Sequence, residues 1–247
     1  MEIYAKTFLL PKNGSSKIEY EDASSIAKDK FRFAVADGAA ETSFSRDWAK
    51  QLVRAFTKKR LSVPIAAEEL KPLRSKWEEV VHRHPLAWYA EEKANDGAYA
   101  AFVGLEFLQE RFEASTQQKW QATASGDCCL VQVRGDKIIK AFPLADSESF
   151  GSRPNLLCST TASNGNGNEI VLKSAGSWGC EDAFFLMTDA LACWFFKESE
   201  LGNKPWNRLR DLDTQDHAPF EKFIADLRST KRMKNDDVTL LRIDVLP

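Results

Sequence analysis

The sequence predicts an α+β fold in one domain. Short runs of apolar and β-branched residues read as strands, glycine-containing turns join some of them as hairpins, and amphipathic helical stretches come in groups rather than after every strand. Strict strand–helix alternation would instead indicate a parallel α/β sheet. With 247 residues, 43% hydrophobic and 11% aromatic, the chain can bury one large core.

In chain order, residues 31–36 (Phe-Arg-Phe-Ala-Val-Ala) read as a strand closed by Asp37-Gly38. Phe44, Trp48, Leu52 and Phe56 then recur every four positions, which predicts an amphipathic helix over about 43–59. A second helical stretch follows Pro64, with Leu70, Leu73, Trp77 and Val80 on one face, and Pro85 interrupts it. The period then changes to that of strands at 98–107, 120–124, 128–133 and 137–142, the last two joined by a Gly135-Asp136 turn. The Asn-Gly pairs in 163–168 read as a tight turn or loop tip. Residues 183–188 form another apolar strand, 191–196 and 220–227 are helical, and 238–245 is the closing strand.

Charge and cysteine content exclude several function classes. Lys and Arg total 34 against 36 Asp and Glu, so no global basic field exists to hold nucleic acid or an anionic membrane. The first residues, Met1-Glu2-Ile3-Tyr4-Ala5-Lys6, lack a signal peptide's apolar run, and no stretch of about 18 apolar residues occurs, which suggests a cytoplasmic protein. The five cysteines (Cys128, Cys129, Cys158, Cys180 and Cys193) include no Cys-x-x-Cys pair and read as buried thiols in a reducing compartment.

A recurrent feature carries the chemistry: an acidic residue stands at the end of an apolar strand. Asp37 follows 31–36, Asp127 precedes 128–133, Asp189 follows 184–188, and Asp236 precedes 238–245. Strand ends can converge on one rim, where crowded carboxylates repel unless cations sit between them, and hard oxygen ligands select Mg²⁺, Mn²⁺ or Ca²⁺. Asp is also a common turn and cap residue, so the joint pattern matters more than any single position.

In motif order the sequence resembles the metal-dependent protein phosphatases of type 2C, over nearly the whole chain. Lys17-Ile18-Glu19-Tyr20-Glu21-Asp22-Ala23 resembles the first motif, Val35-Ala36-Asp37-Gly38 the second, and Ser125-Gly126-Asp127-Cys128 the Gly-Asp-Ser motif. Leu186-Met187-Thr188-Asp189-Ala190 stands where the family has a strand ending in Asp-Gly, and Asp236-Asp237-Val238-Thr239 where it has Asp-Asn-apolar-Thr or Ser. Residues 37–44 with Trp48-Ala49 resemble the minimal bacterial branch. The resemblance implies two antiparallel sheets packed as a sandwich, flanked by helices on both outer faces, as a single catalytic domain over 1–247. It implies hydrolysis of phosphoserine or phosphothreonine on proteins by a water bridging two Mn²⁺ or Mg²⁺ ions, a phosphorylated protein substrate and a cognate Ser/Thr kinase.

By the same resemblance Asp37 bridges the ions, the Gly38 carbonyl serves one, and Asp189 and Asp236 serve the other. Glu21 and Asp22 orient metal-bound water, Asp127 helps hold a third, weaker ion, and Lys17 meets the phosphate. The chain departs from the family at Lys17 (usually Arg), Ala39 (His in some eukaryotic members), Ala190 (usually Gly) and Asp237 (usually Asn). Three of these, Lys17, Ala190 and Asp237, motivate the alternative of a weak or inactive relative acting as a phosphoprotein- or kinase-binding module.

Other signals compete less well. Cys128 and Arg134 have Cys-x5-Arg spacing, but the intervening residues read as strand rather than a glycine-rich phosphate loop. Asp211-Leu212-Asp213-Thr214 mimics an Asp-x-Asp-x-Thr nucleophile motif but follows no apolar strand. His82 and His84 do not share a helix face, and the tryptophans read as core residues rather than a base-stacking platform.

Overall fold

The computed structural model of the chain describes residues 2–39, 44–83, 96–108, 118–151, 154–160, 170–212 and 215–246. The strands are β1 (Glu2–Leu10), β2 (Ala23–Ala27), β3 (Arg32–Gly38), β4 (Tyr99–Leu108), β5 (Gln118–Ser125), β6 (Cys129–Arg134), β7 (Lys137–Phe142), β8 (Leu157–Cys158), β9 (Leu172–Trp178), β10 (Asp182–Met187) and β11 (Val238–Leu246). The helices are α1 (Ser45–Thr57), α2 (Ala67–His82), α3 (Asp189–Glu200), α4 (Pro205–Arg210) and α5 (Ala218–Ser229).

Two antiparallel sheets result, one ordered β1-β11-β10-β6-β7 and the other β2-β3-β4-β5-β9, with β8 paired to β4. The α+β sandwich holds. Phe33, Val35, Val103, Leu130, Phe184 and Leu241 fill the space between the sheets. On one outer face Trp48, Leu52 and Phe56 of α1 and Leu70 and Trp77 of α2 pack on Ala34, Ala36 and Phe102. On the other, Leu191 and Phe195 of α3, Trp206 of α4 and Phe220 and Ile224 of α5 pack on Val131, Phe185 and Met187. Both faces of the central strands are therefore covered, which is why they read as continuous apolar runs rather than alternating ones.

Each outer layer also buries an arginine that satisfies loose helix-end carbonyls. Arg32 donates to the Phe56 and Leu61 carbonyls (3.0 and 2.7 Å) and pairs with Glu106 (2.7 Å). Arg242 donates to the carbonyls of Leu209, Arg210 and Leu212. Most of each buried charge is met by these bonds, with Arg242 also paired to Asp244 (2.9 Å) and the Arg32 guanidinium stacked over Phe56, while Arg32 Nε has no hydrogen-bond partner.

Periodicity missed β1, β2, β8, β9 and α4. β1 pairs with β11 along its whole length, yet only Ala5 and Phe8 are buried in it and the consecutive Lys6 and Thr7 between them are both half-buried, so its side chains show no period of two. β9 (Leu-Lys-Ser-Ala-Gly-Ser-Trp) is an edge strand whose residues before Trp178 are all exposed or half-buried. The Gly135-Asp136 turn joins β6 and β7 as expected, whereas residue 43, Pro85 and the 163–168 turn lie outside the described residues. One expectation is corrected. Cys128, Cys129 and Cys158 are buried, but Cys180 is exposed in the turn before β10 and Cys193 is half-buried on α3. Trp48, Trp77, Trp120, Trp178, Trp194 and Trp206 are all core residues, and Trp88 is outside the described residues.

Candidate active site

The direction of the strands gathers the acidic residues. β3 and β10 end, and β2, β6 and β11 begin, at the same end of the sandwich. Glu21, Asp37, Gly38, Asp127, Asp189 and Asp236 accordingly line one cleft of about 550 Å³, together with Asp237 and Lys234. Asp22 is buried beside them with 2% exposure. Lys17 is exposed on the turn before Glu21 and is not part of the cleft wall.

Asp37 and Gly38 are the last residues of β3, held opposite Ala101 and Ala100 of β4. The Gly38 backbone runs so close to its neighbours that a Cβ there would lie 2.9 Å from the Glu21 carbonyl oxygen and 2.9 Å from the Ser45 carbonyl carbon. Only glycine lets the first-motif loop and the start of α1 close on this strand. Glu21 accepts from the Ser45 hydroxyl (2.9 Å) and faces the Lys12 ammonium (3.4 Å). Gly126 has φ +85°, which turns the chain out of β5 so that Asp127 faces the cleft.

Asp189 opens α3, where Thr188 is the N-cap and the Ala190 N–H donates to the Asp189 carboxylate (2.6 Å). Ala190 is thus the second residue of a helix. No positive φ is required of it, and the absence of glycine here costs nothing. Asp236 is set by Arg228 of α5, whose guanidinium donates to the carbonyls of Asp236 (2.6 Å) and Pro11 (2.9 Å). Asp237 ties two segments of the chain together. Its two carboxylate oxygens accept the backbone N–H groups of Lys12 (2.8 Å) and Glu21 (2.7 Å), pinning the first-motif loop to the last strand.

Asp22 is held by Thr239, whose hydroxyl donates to it at 2.8 Å, and Tyr20 closes the group with a hydrogen bond to Thr239. Burial pushes its carboxyl up to about 8, against the Thr239 hydrogen bond and with help from Asp237. Asp37 is pushed well above the carboxylate range by burial and then by the Asp22 and Asp189 charges, and Asp189 is raised by burial against the pull of Lys234. Asp127 is raised to about 6, by burial first and by Asp189 next. So many carboxylates in one buried rim ionise together only if cations share the site.

The donor set fits Mg²⁺ or Mn²⁺: it is all oxygen, strongly acidic, and includes a buried Asp22 Oδ1 with no hydrogen-bond partner. Among the described residues, no three Asp, Glu, His or Cys side chains already close on a common point as ligands of an ion would. The Lys234 ammonium is found instead at Asp236 Oδ2 (2.6 Å) and near Asp189 Oδ2 (3.7 Å).

Neither protein-family models nor curated proteins give a match to the sequence. Solved structures do. A serine/threonine phosphatase of Staphylococcus aureus superposes with TM-score 0.61 at 14% identity, covering 100% of this chain and 96% of that one. The fold is that of the type 2C protein phosphatases. The catalytic domain of the serine/threonine phosphatase PstP, solved in complex with two manganese ions, matches with TM-score 0.57 at 13% identity over 100% of both chains. PppA, a regulatory component of type VI secretion in Pseudomonas aeruginosa, matches with TM-score 0.57 at 14% identity over 99% of this chain and 98% of that one.

Within this type 2C fold the rival motifs lose their geometry. Burial, then the nearby Asp37 and Asp127, pushes the Cys128 thiol well above its usual range, the reverse of a nucleophilic cysteine. Arg134 lies at the other end of β6, about 20 Å along the strand, and is paired with Asp182. Asp211 follows the short helix α4, with 213 and 214 outside the described residues. His82 ends α2 in solvent, and His84 is outside the described residues. Sequence reasoning missed Lys12, Tyr20, Arg228 and Lys234, whose partners are mostly remote in the chain; only Lys234, two positions before Asp236, had a local signal.

Proposed function

We propose that the chain is a protein-serine/threonine phosphatase working as one catalytic domain over 1–247. Asp37, Asp189, Asp236 and the Gly38 carbonyl hold two Mn²⁺ or Mg²⁺ ions, and Asp127 contributes to a third. The observation that carries this reading is the gathering of acidic residues from five separate strand ends into one cleft of a fold shared with serine/threonine phosphatases. When bound, the ions acidify water and offset charge on the phosphoryl group. Glu21 and Asp22 orient water from one side, and Lys17 reaches the phosphate from the exposed first-motif turn. The substrate is a phosphorylated protein, with a Ser/Thr kinase as its counterpart. The proposed site of action is cytoplasmic; among the described residues no helix is long and apolar enough to cross a membrane.

Metal-stripped protein titrated with Mn²⁺ against phosphothreonine and phosphotyrosine peptides tests the proposal. Mn²⁺-dependent release of phosphate from the phosphothreonine peptide, at a much higher kcat/KM than from phosphotyrosine, is expected. The lysine lying on Asp236 and Asp189 gives weight to a second reading, a phosphoprotein- or kinase-binding module without turnover. Binding of the phosphopeptide with no hydrolysis at any Mn²⁺ concentration selects that reading.

A further inference from the structure

We infer that Lys234 is an internal competitor for the divalent metal: its ammonium occupies the carboxylates of Asp236 and Asp189 in the metal-free protein and has to leave when the ion enters. The inference rests on the reading of these two carboxylates as ligands of the second ion. The lysine nitrogen is 2.6 Å from Asp236 Oδ2, where it uses a lone pair that a cation would take, and 3.7 Å from Asp189 Oδ2, where it offsets the charge without a hydrogen bond. Among the described residues it is the one cationic side chain on the cleft wall, facing Glu21, Asp37, Asp127, Asp189, Asp236 and Asp237. It therefore offsets charge that the metal would otherwise offset.

The geometry also provides for departure. Met233, immediately before it, is buried in the helix-side core, and the Asp236 N–H is bonded to the Lys234 carbonyl, so the Lys234 backbone is anchored to the core and to Asp236. The side chain itself is 68% exposed, and a second pocket of about 270 Å³ adjoins the cleft through Asp127, Gly151 and Asp189, with Lys234 on the wall of both. A four-carbon stem on a fixed Cα can carry the ammonium from the carboxylates into that pocket or into water without moving the ligands. An ammonium and a divalent ion cannot share the same oxygens, because their charges repel at hydrogen-bond distances. Metal loading is then an exchange, in which apparent affinity is reduced by whatever hold the lysine has. The same hold keeps the rim together when no metal is present.

The test is Mn²⁺ binding itself, measured by calorimetry and by the electron paramagnetic resonance signal of free Mn²⁺, on metal-stripped wild type, Lys234→Met and Lys234→Gln. Both variants keep the length of the stem or most of it, and far-UV circular dichroism checks that they are folded. The expected result is at least a tenfold tighter Mn²⁺ site in both variants, with a lower melting temperature than wild type in chelator and a larger upward shift on adding Mn²⁺. Equal or weaker Mn²⁺ binding in the folded variants, with Mn²⁺-dependent hydrolysis intact, overturns the inference and leaves the phosphatase reading standing. No Mn²⁺ binding by wild type or either variant overturns both.

Discussion

Removing the charge of Asp127 is expected to stabilise the metal-free protein, and only above a definite pH. Asp127 stands between β5 and β6 with its carboxyl raised from 3.8 to about 6, chiefly by burial and then by Asp189. The unfolded chain loses this proton near pH 4 and the folded one near pH 6, so between those values the folded state holds a proton that the unfolded state does not. The contribution to stability is present in full below pH 4 and is lost as pH rises through 6. A shift of about two units at about 1.4 kcal/mol each sets the upper limit of the loss near 3 kcal/mol. Solvent at the cleft mouth reduces it to about 1–3 kcal/mol. Urea unfolding in chelator at pH 8 should therefore find Asp127→Asn more stable than wild type by about that amount, with an unchanged m-value. The gap should vanish at pH 4, and saturating Mn²⁺ should reverse it by binding wild type more strongly. A variant less stable than wild type at pH 8, or a gap independent of pH, would refute the view that Asp127 is an electrostatically strained member of the rim.

Two further changes probe how the rim is built. Asp237→Asn leaves one acceptor oxygen for two backbone N–H groups, so at saturating Mn²⁺, where charge relief counts for little, it should cost about 1–3 kcal/mol in thermal or urea unfolding; no loss would mean that the Lys12 and Glu21 contacts are dispensable. Gly38→Ala places a Cβ against backbone atoms of Glu21 and Ser45, which cannot yield without moving the first-motif loop or α1. Its Mn²⁺ affinity should fall roughly 10- to 100-fold with native circular dichroism, and an unchanged binding isotherm would contradict the packing argument.

The sequence makes the rim legible because each of Asp37, Asp127, Asp189 and Asp236 is coupled to a local signal, the boundary of an apolar strand. The helix α1 is legible for the same reason: Trp48, Leu52 and Phe56 repeat on the period of the element they form. What is illegible depends on contacts between distant segments. Asp22 is held by Thr239, which lies 217 positions away, and Arg228 secures Pro11 and Asp236 in a single hydrogen-bonded knot. β1 is recognisable only from its partner β11, since half-buried Lys6 and Thr7 give it no clean alternation. Lys17 has the opposite fate. Its motif position points to phosphate, while its place on an exposed turn leaves the cleft wall to Lys234. The role of Asp237 is also invisible locally, because the two N–H groups it accepts belong to residues more than 200 positions earlier.

The central claim, that hydrolysis runs through metal held by the carboxylate rim and not through a cysteine, is tested most directly by kcat/KM on a phosphothreonine peptide in Mn²⁺ for Asp236→Asn beside Cys128→Ser. Asp236→Asn keeps side-chain shape while deleting a charge at the proposed metal position, so a loss of roughly 10²-fold or more is predicted. Cys128→Ser should stay within a few-fold of wild type, since its buried thiol packs between the sheets and is held protonated. A folded but dead serine variant beside an Asp236→Asn enzyme that turns over normally would contradict the account.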